Sequence, residues 1–235
     1  MKKGTFYSIG VGPGNPKLMT LEAVETIKAC DVIALPQSGG KQNVAFEIAK
    51  DYLDGKEIVF CDMPMIRGGK ELRRYHEEAA GALGRHLDGG KDVGFLTLGD
   101  PSIYSTAMYI HRILKEAGYR TGMIAGVPSF CAAAARLDIA LCEGRQPLHV
   151  IPASYRNIEQ ALLLPGTQVL MKSGKTIGET AAALSCRGLA KEASMVADCG
   201  MPSQKIFSEM TDLPENVGVF STVIVPEPRR AARKK

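Results

Sequence analysis

Three short stretches of this chain combine glycine, proline and small polar residues at spacings that could hold a ligand against the backbone. The first, G-V-G-P-G-N at residues 10–15, follows the apolar run Phe6–Ile9. The second, T-L-G-D-P-S-I-Y-S-T at 97–106, adds a carboxylate, Asp100, and a phenol, Tyr104. The third is A-G-V-P-S-F at 125–130. Glycine lets main-chain donors and acceptors approach a ligand closely, and a proline suits the first turn of a helix. The first stretch invites comparison with the dinucleotide turn G-x-G-x-x-G, whose third glycine opens a helix. Here the sixth position is Asn15, Pro16 follows it, and the two prolines impose an extended bend before Leu18. An acid ending the second strand would contact a ribose, but the run there is Leu35-Pro36-Gln37. These mismatches argue against a nucleotide cofactor. A strand-to-helix turn that only shapes the fold is the plain alternative.

The elements that must position these loops alternate in type. Apolar runs predict strands at 6–10, 31–35, 57–61 and 92–98, and helical spacing predicts helices at 18–29, 43–53, 70–87 and from Ile103 to Ala117. This order implies a parallel sheet with helices on its faces, and ligands of such sheets bind at the carboxyl ends of the strands, where these loops lie. A break is expected near 119–125, then a small-residue helix, S-F-C-A-A-A-A-R-L, at 129–137. Beyond it, strands predicted at 149–151, 168–171, 194–197, 205–208 and 219–225 have only two helical stretches among them, 158–163 and 177–186. That pattern implies a mixed sheet. The expected organisation is an α/β domain over 1–121, a second α/β domain over 122–228 and a basic tail at 229–235, with a small-molecule site in a cleft between the domains.

Composition narrows the function classes. Lysine and arginine number 29 against 25 acids, but R-R-A-A-R-K-K at the end holds five of the positive charges, leaving 24 basic and 25 acidic residues in the body. A neutral body and a short basic tail, with no aromatic-interleaved basic patch, argue against nucleic acid. No run approaches the ~20 apolar residues that span a bilayer, and glycines and Pro13 interrupt the start too early for a secretion signal. The six cysteines form no C-x-x-C pair and have no histidine at a zinc-ligand spacing, so they read as reduced, small core residues of a cytoplasmic protein without a protein-held metal. His111 reads as a satisfied core histidine.

Further runs complete a pattern. G-V-G-P-G-N-P-K-L-M-T-L-E-A at 10–23, D-V-I-A at 31–34, L-G-D-P-S-I-Y-S-T at 98–106, A-G-V-P-S-F-C-A-A-A-A-R-L at 125–137 and T-Q-V-L-M-K-S-G at 167–174 stand in one order along the chain. Together they resemble the tetrapyrrole (corrin and porphyrin) methylases, across residues 5 to about 225. Within that family, L-M-T-L-E-A with G-D-P-S-I-Y-S-T is most similar to the enzymes that methylate C-20 of precorrin-2 or cobalt-factor II in cobalamin biosynthesis.

The resemblance implies a two-domain fold of that family, S-adenosylmethionine as methyl donor, a tetrapyrrole acceptor and a homodimer. Carried over by residue, it implies donor contacts at Leu98, Gly99, Asp100, Ile103, Pro128, Ser129 and Gly200, and an acceptor wall at Gly12 and Pro13. Asn15 stands where uroporphyrinogen-methylating relatives carry Asp, a candidate base, and a neutral amide cannot take that role. Lys172 falls near a donor-contacting Met of those relatives and reads instead as facing an acidic acceptor or solvent. Asp100, Tyr104 and Asn15 are the nearest catalytic candidates. Arg67, ahead of Gly68 and Gly69, is placed to clamp an acceptor carboxylate, whereas Lys70, Arg73 and Arg74 alternate with acids as the wet face of a helix does. The competing expectations are a methylase acting at another ring position, one of the diphthamide type, a non-catalytic tetrapyrrole carrier and a nicotinamide-dependent reductase.

Overall fold

The computed structural model describes residues 2–37, 43–64, 69–153, 158–214, 217–218 and 220–227. The chain folds as two compact units, Met1–Pro128 and Ser129–Lys235.

The first unit is a five-stranded parallel sheet built from β1 (Thr5–Gly10), β2 (Val32–Gln37), β3 (Glu57–Asp62), β4 (Val93–Thr97) and β5 (Arg120–Ile124), in the order β3-β2-β4-β1-β5. Parallel strands need both faces covered, and the alternation along each strand supplies two apolar faces. Phe6, Val32, Ala34, Val93 and Phe95 pack with α3 (Gly69–Asp88) and α4 (Ala107–Glu116) through Leu83, Leu87, Ile110 and Leu114. Ile9, Ile33, Leu35 and Leu96 pack with α1 (Leu21–Ala29) and α2 (Val44–Ala49) through Ala23, Ile27, Ala45 and Ile48. Each fully buried Leu, Ile or Phe contributes ~1.5–3 kcal/mol by leaving water.

The second unit holds α5 (Ser129–Leu137), β6 (Leu148–Pro152), α6 (Ile158–Ala161), β7 (Thr167–Met171), α7 (Ile177–Cys186), β8 (Ser194–Ala197), β9 (Lys205–Phe207) and β10 (Ser221–Val225). Its sheet runs β6-β7-β10-β8-β9, parallel between β6 and β7 and antiparallel elsewhere. The mixed sheet expected for this half is present. Leu170, Met195, Val223 and Val225 form its core with Leu162, Ile177, Ala183 and Leu184.

Four expectations need correction. The run near 119–125, expected as a break, is strand β5, paired with β1 from Thr5↔Arg120 to Ile9↔Ile124, so the first unit extends past residue 121 to Pro128. Ile103 lies in a turn, and α4 begins only at Ala107. The helix expected at 18–29 divides into a 3-10 turn, Pro16–Leu18, and α1, because Thr20 caps α1 with its side chain. The cysteines are not all core residues: Cys30, Cys61 and Cys199 are buried, but Cys131, Cys142 and Cys186 are exposed. Burial pushes the Cys61 thiol up to about 12, which leaves it inert. Arg67 and the tail at 229–235 lie outside the described residues.

Candidate active site

In the first unit the three glycine loops meet at the carboxyl edge of the sheet, and main-chain atoms together with the Asp100 carboxylate fasten them. Gly12 N–H donates to Gly99 O at 3.2 Å and Gly99 N–H donates to Gly12 O at 2.8 Å, while Val11 N–H reaches Thr97 O at 3.0 Å. The third loop joins through Asp100, whose Oδ2 accepts from Gly126 N–H at 2.9 Å. Packing explains the glycines. A Cβ on Gly126 would stand 2.2 Å from Gly99 O, and one on Gly10 would stand 2.7 Å from both Gly126 N and Gly99 O. A Cβ on Gly12, where φ is +77°, would meet Leu18 O at 2.9 Å. These three positions admit no side chain because backbone already fills the space.

Gly99 differs. Its φ of +75° calls for glycine, yet a Cβ there would find only Val127 O, at 4.0 Å. The open side of this loop is therefore the place where a ligand can come against main chain.

The polar side chains of the edge are largely engaged in holding it. The other carboxylate oxygen of Asp100, Oδ1, accepts from Ser102 N–H at 2.8 Å and from the Ser102 hydroxyl. Asp100 is thus a brace with three donors, joining its own turn to the Gly126 loop. Asn15 Oδ1 accepts from Lys17 N–H at 2.9 Å and caps the Pro16–Leu18 turn. Thr20 accepts from Ala23 N–H at 3.1 Å as the cap of α1 and donates its hydroxyl to Ala125 O at 3.2 Å. That second tether has no signal in the sequence, where Thr20 marks only a helix start. Leu98 and Ile103 are half-buried, Pro13 is buried and Pro128 is half-buried. Tyr104 is 42% exposed and sits at φ +49°, an unusual conformation for a bulky residue and one that clusters at functional sites. The start of α4 is fixed by the Thr97 and Ser105 hydroxyls, 2.8 Å apart, and by Ala107 N–H on Ser105 Oγ at 3.1 Å.

In the second unit β6, β7 and β8 run the same way, so their carboxyl ends share an edge with the start of β10. Ser129, opening α5, lies there, its hydroxyl 3.4 Å from that of buried Thr222. Thr222 pairs with Met171 and Val196, near the ends of β7 and β8. Lys172, just past β7, and Asp198, just past β8, both take left-handed backbone, at φ +60° and +48°. Lys172 is exposed, yet protein around its ammonium lowers its pKa by desolvation. Asp198 accepts from Ser203 Oγ at 2.9 Å and Phe220 N–H at 3.3 Å. Gly200, at φ +81°, donates its N–H to Gln204 Oε1 at 2.8 Å. Sequence reasoning passes over Asp198 in A-D-C-G, although an acid two places before a glycine at a strand end is a turn signal.

Lys70, Arg73 and Arg74 do form a wet helix face. All three are exposed, and Arg73 and Arg74 bond Glu77 at 2.8 Å and Glu78 at 3.5 Å. His111 is 9% exposed, its Nδ1 3.0 Å from Ser8 Oγ and its ring edge-on to Phe6, as a core histidine should be. Among the described residues no group of acids, cysteines and histidines could hold a metal ion, and no helix is long and apolar enough to cross a membrane.

Comparison with known proteins gives the family. The chain is 38% identical over 194 residues, 80% of its own length and 82% of the relative's, to a protein of Methanocaldococcus jannaschii named as a probable cobalt-precorrin-2 C(20)-methyltransferase. It is 32% identical to the cobalt-precorrin-2 C(20)-methyltransferase of Salmonella typhimurium, covering 94% of this chain and 96% of that one. Among solved structures, a cobalt precorrin-4 methyltransferase shares the fold, with a TM-score of 0.75 over 94% of each chain at 20% identity. The uroporphyrin-III C-methyl transferase of Thermus thermophilus, solved with S-adenosyl homocysteine, shares it at a TM-score of 0.72 over 95% of this chain and 98% of that one, at 19% identity. The model of the tetrapyrrole (corrin/porphyrin) methylases matches residues 5–214, and the chain belongs to that family.

Proposed function

We propose that this methylase transfers the methyl group of S-adenosylmethionine to C-20 of precorrin-2 or cobalt-factor II, a step of cobalamin biosynthesis. The observation that carries the reading is the likeness to the Salmonella typhimurium cobalt-precorrin-2 C(20)-methyltransferase, which runs through 94% of the chain. The donor's sulfonium supplies an already activated methyl, so the reaction is an in-line displacement in which the S–C bond breaks as the methyl–ring carbon bond forms and the C-20 proton is then lost. The protein's task is alignment and exclusion of water.

The residues suit that task. In the first unit the open side of Gly99 and the turn carrying Leu98, Asp100 and Ile103 offer main chain to the donor, with Pro128 as a further contact. Ser129 and Gly200 are the donor contacts that the family resemblance assigns in the second unit. Asp100 and Asn15 shape their loops rather than move protons, since both side chains are already engaged. Tyr104, exposed and held in left-handed backbone, is the chemical candidate kept among the three. Gly12 and Pro13 back the acceptor wall, and Arg67 meets an acceptor carboxylate. The enzyme works as a homodimer in the cytoplasm, and analytical ultracentrifugation checks the dimer directly.

The test supplies the purified chain with the donor and either precorrin-2 or cobalt-factor II, then locates the new methyl by carbon NMR. A methyl at C-20 is the expected product. One at another ring carbon keeps the family and overturns the position, and none on either acceptor overturns the substrate.

A further inference from the structure

α3 and α4 both descend from the carboxyl edge of the first sheet, and one side-chain stack near that edge is unexplained by the packing around it. His76 on α3 and Tyr109 in the first turn of α4 lie with ring centroids 4.7 Å apart and planes 8° from parallel. His76 is 4% exposed and Tyr109 48%. The Nε2 of His76 is buried with no hydrogen-bond partner among the described residues, which costs stability. A leucine would fill the space without that cost. What the imidazole adds is a flat, stiff floor under the phenol, and burial lowers its pKa so that it stays neutral there.

The upper side of the stack is charged. Arg112, one turn along α4, holds its guanidinium carbon 5.9 Å from the Tyr109 ring centroid and is exposed. Among the described residues no carboxylate pairs with it, Glu116 one turn further on included, in contrast to the paired Arg73 and Arg74 of α3. Tyr109 keeps nearly half its surface open with both neighbours in place. Five residues before it stands Tyr104, also exposed, in the turn that Asp100 braces. A buried floor, an exposed ring and a guanidinium without a carboxylate beside the donor loop match one kind of molecule, a flat conjugated ring system with carboxylates at its rim.

We propose that Tyr109 and Arg112 seat the tetrapyrrole acceptor on the first unit. The Tyr109 ring lies against the macrocycle, Arg112 takes a peripheral carboxylate in a bidentate pair, and His76 is a positioning residue that keeps the phenol in its plane. This assignment rests on the reading of the chain as a tetrapyrrole methylase and adds residues to it.

The experiment titrates the full chain with uroporphyrin III, a stable polycarboxylate tetrapyrrole, following its absorbance, and measures S-adenosylhomocysteine affinity by calorimetry. Y109A and R112A should each weaken pigment binding, and raise KM for precorrin-2, by about 5- to 10-fold. Y109F and R112K should recover most of the loss, with R112K the poorer because it lacks the fork. H76L should raise KM by about threefold without lowering kcat. Affinity for S-adenosylhomocysteine should stay within about twofold in every variant. Pigment binding as tight in Y109A and R112A as in the wild type overturns the proposal, as does a wild-type chain that binds no pigment. A wild-type chain that binds the pigment but methylates neither precorrin-2 nor cobalt-factor II sinks the functional reading instead, and the titration still decides the seat.

Discussion

Two glycines in adjacent loops allow the roles of fastening and binding to be separated by single atoms. A methyl at residue 126 would press to 2.2 Å on Gly99 O, so G126A must push two loops apart and should cost about 3 kcal/mol, read as a lowered urea midpoint. A methyl at residue 99 meets no crowding and costs only its left-handed backbone, about 1–2 kcal/mol. Yet it projects into the space proposed for the donor. G99A should therefore keep most of its stability while calorimetry shows S-adenosylhomocysteine affinity falling by about tenfold or more. Asp100 belongs with the fasteners. D100N sets an amide N–H against Gly126 N–H and should lower stability by ~1–3 kcal/mol, with catalysis falling no further than the disturbed loop accounts for.

At the scale of elements, buried His76 on α3 and buried His111 on α4 make the packed face sensitive to acid. Desolvation lowers the pKa of both His76 and His111 from 6.5 in the folded chain. Below about pH 6.5 the unfolded chain takes up protons that the folded one refuses, so stability is full above that pH and falls as pH drops toward the folded values. Urea midpoints at pH 7.5 and 5.5 should show the loss. H111L should flatten the slope while lowering stability by ~1–3 kcal/mol at neutral pH, because it orphans the buried Ser8 hydroxyl. Much of this architecture is legible in the sequence. Continuous apolar runs mark β2 and β4 because parallel strands are covered on both faces, and S-F-C-A-A-A-A-R-L marks α5 to the residue. β5 is hard to read because it is an edge strand, R-T-G-M-I, whose outward positions stay half-exposed and whose glycine meets the Tyr7 ring. The turn before α4 is hidden because Ile103 keeps helical spacing while the backbone around it is held by Asp100 and Ser105. The glycine loops can be located at the strand ends from composition alone. Which glycine faces open space and which faces backbone depends on contacts 26 to 116 residues apart in sequence, and the Tyr109 stack joins two helices that no local pattern relates.

For the molecule as a whole, a donor that only the folded chain can hold links ligand binding to the stability of the fold. Saturating S-adenosylhomocysteine at 100 times its Kd should stabilise the chain by ~2.7 kcal/mol, a rise in Tm of about 5–10 °C for a protein of this size by scanning calorimetry. The interlocking of the glycine turns has a wider consequence. Fastened by their own amides and carbonyls and by the side chains of Asp100 and Thr20, these loops form a chassis whose shape owes little to what α3 and α4 display. Redirecting such an enzyme to a different pigment then means repainting the outward faces of α3 and α4 while the methyl supply stays untouched, and libraries varied at Tyr109 and Arg112 are where that retooling should begin.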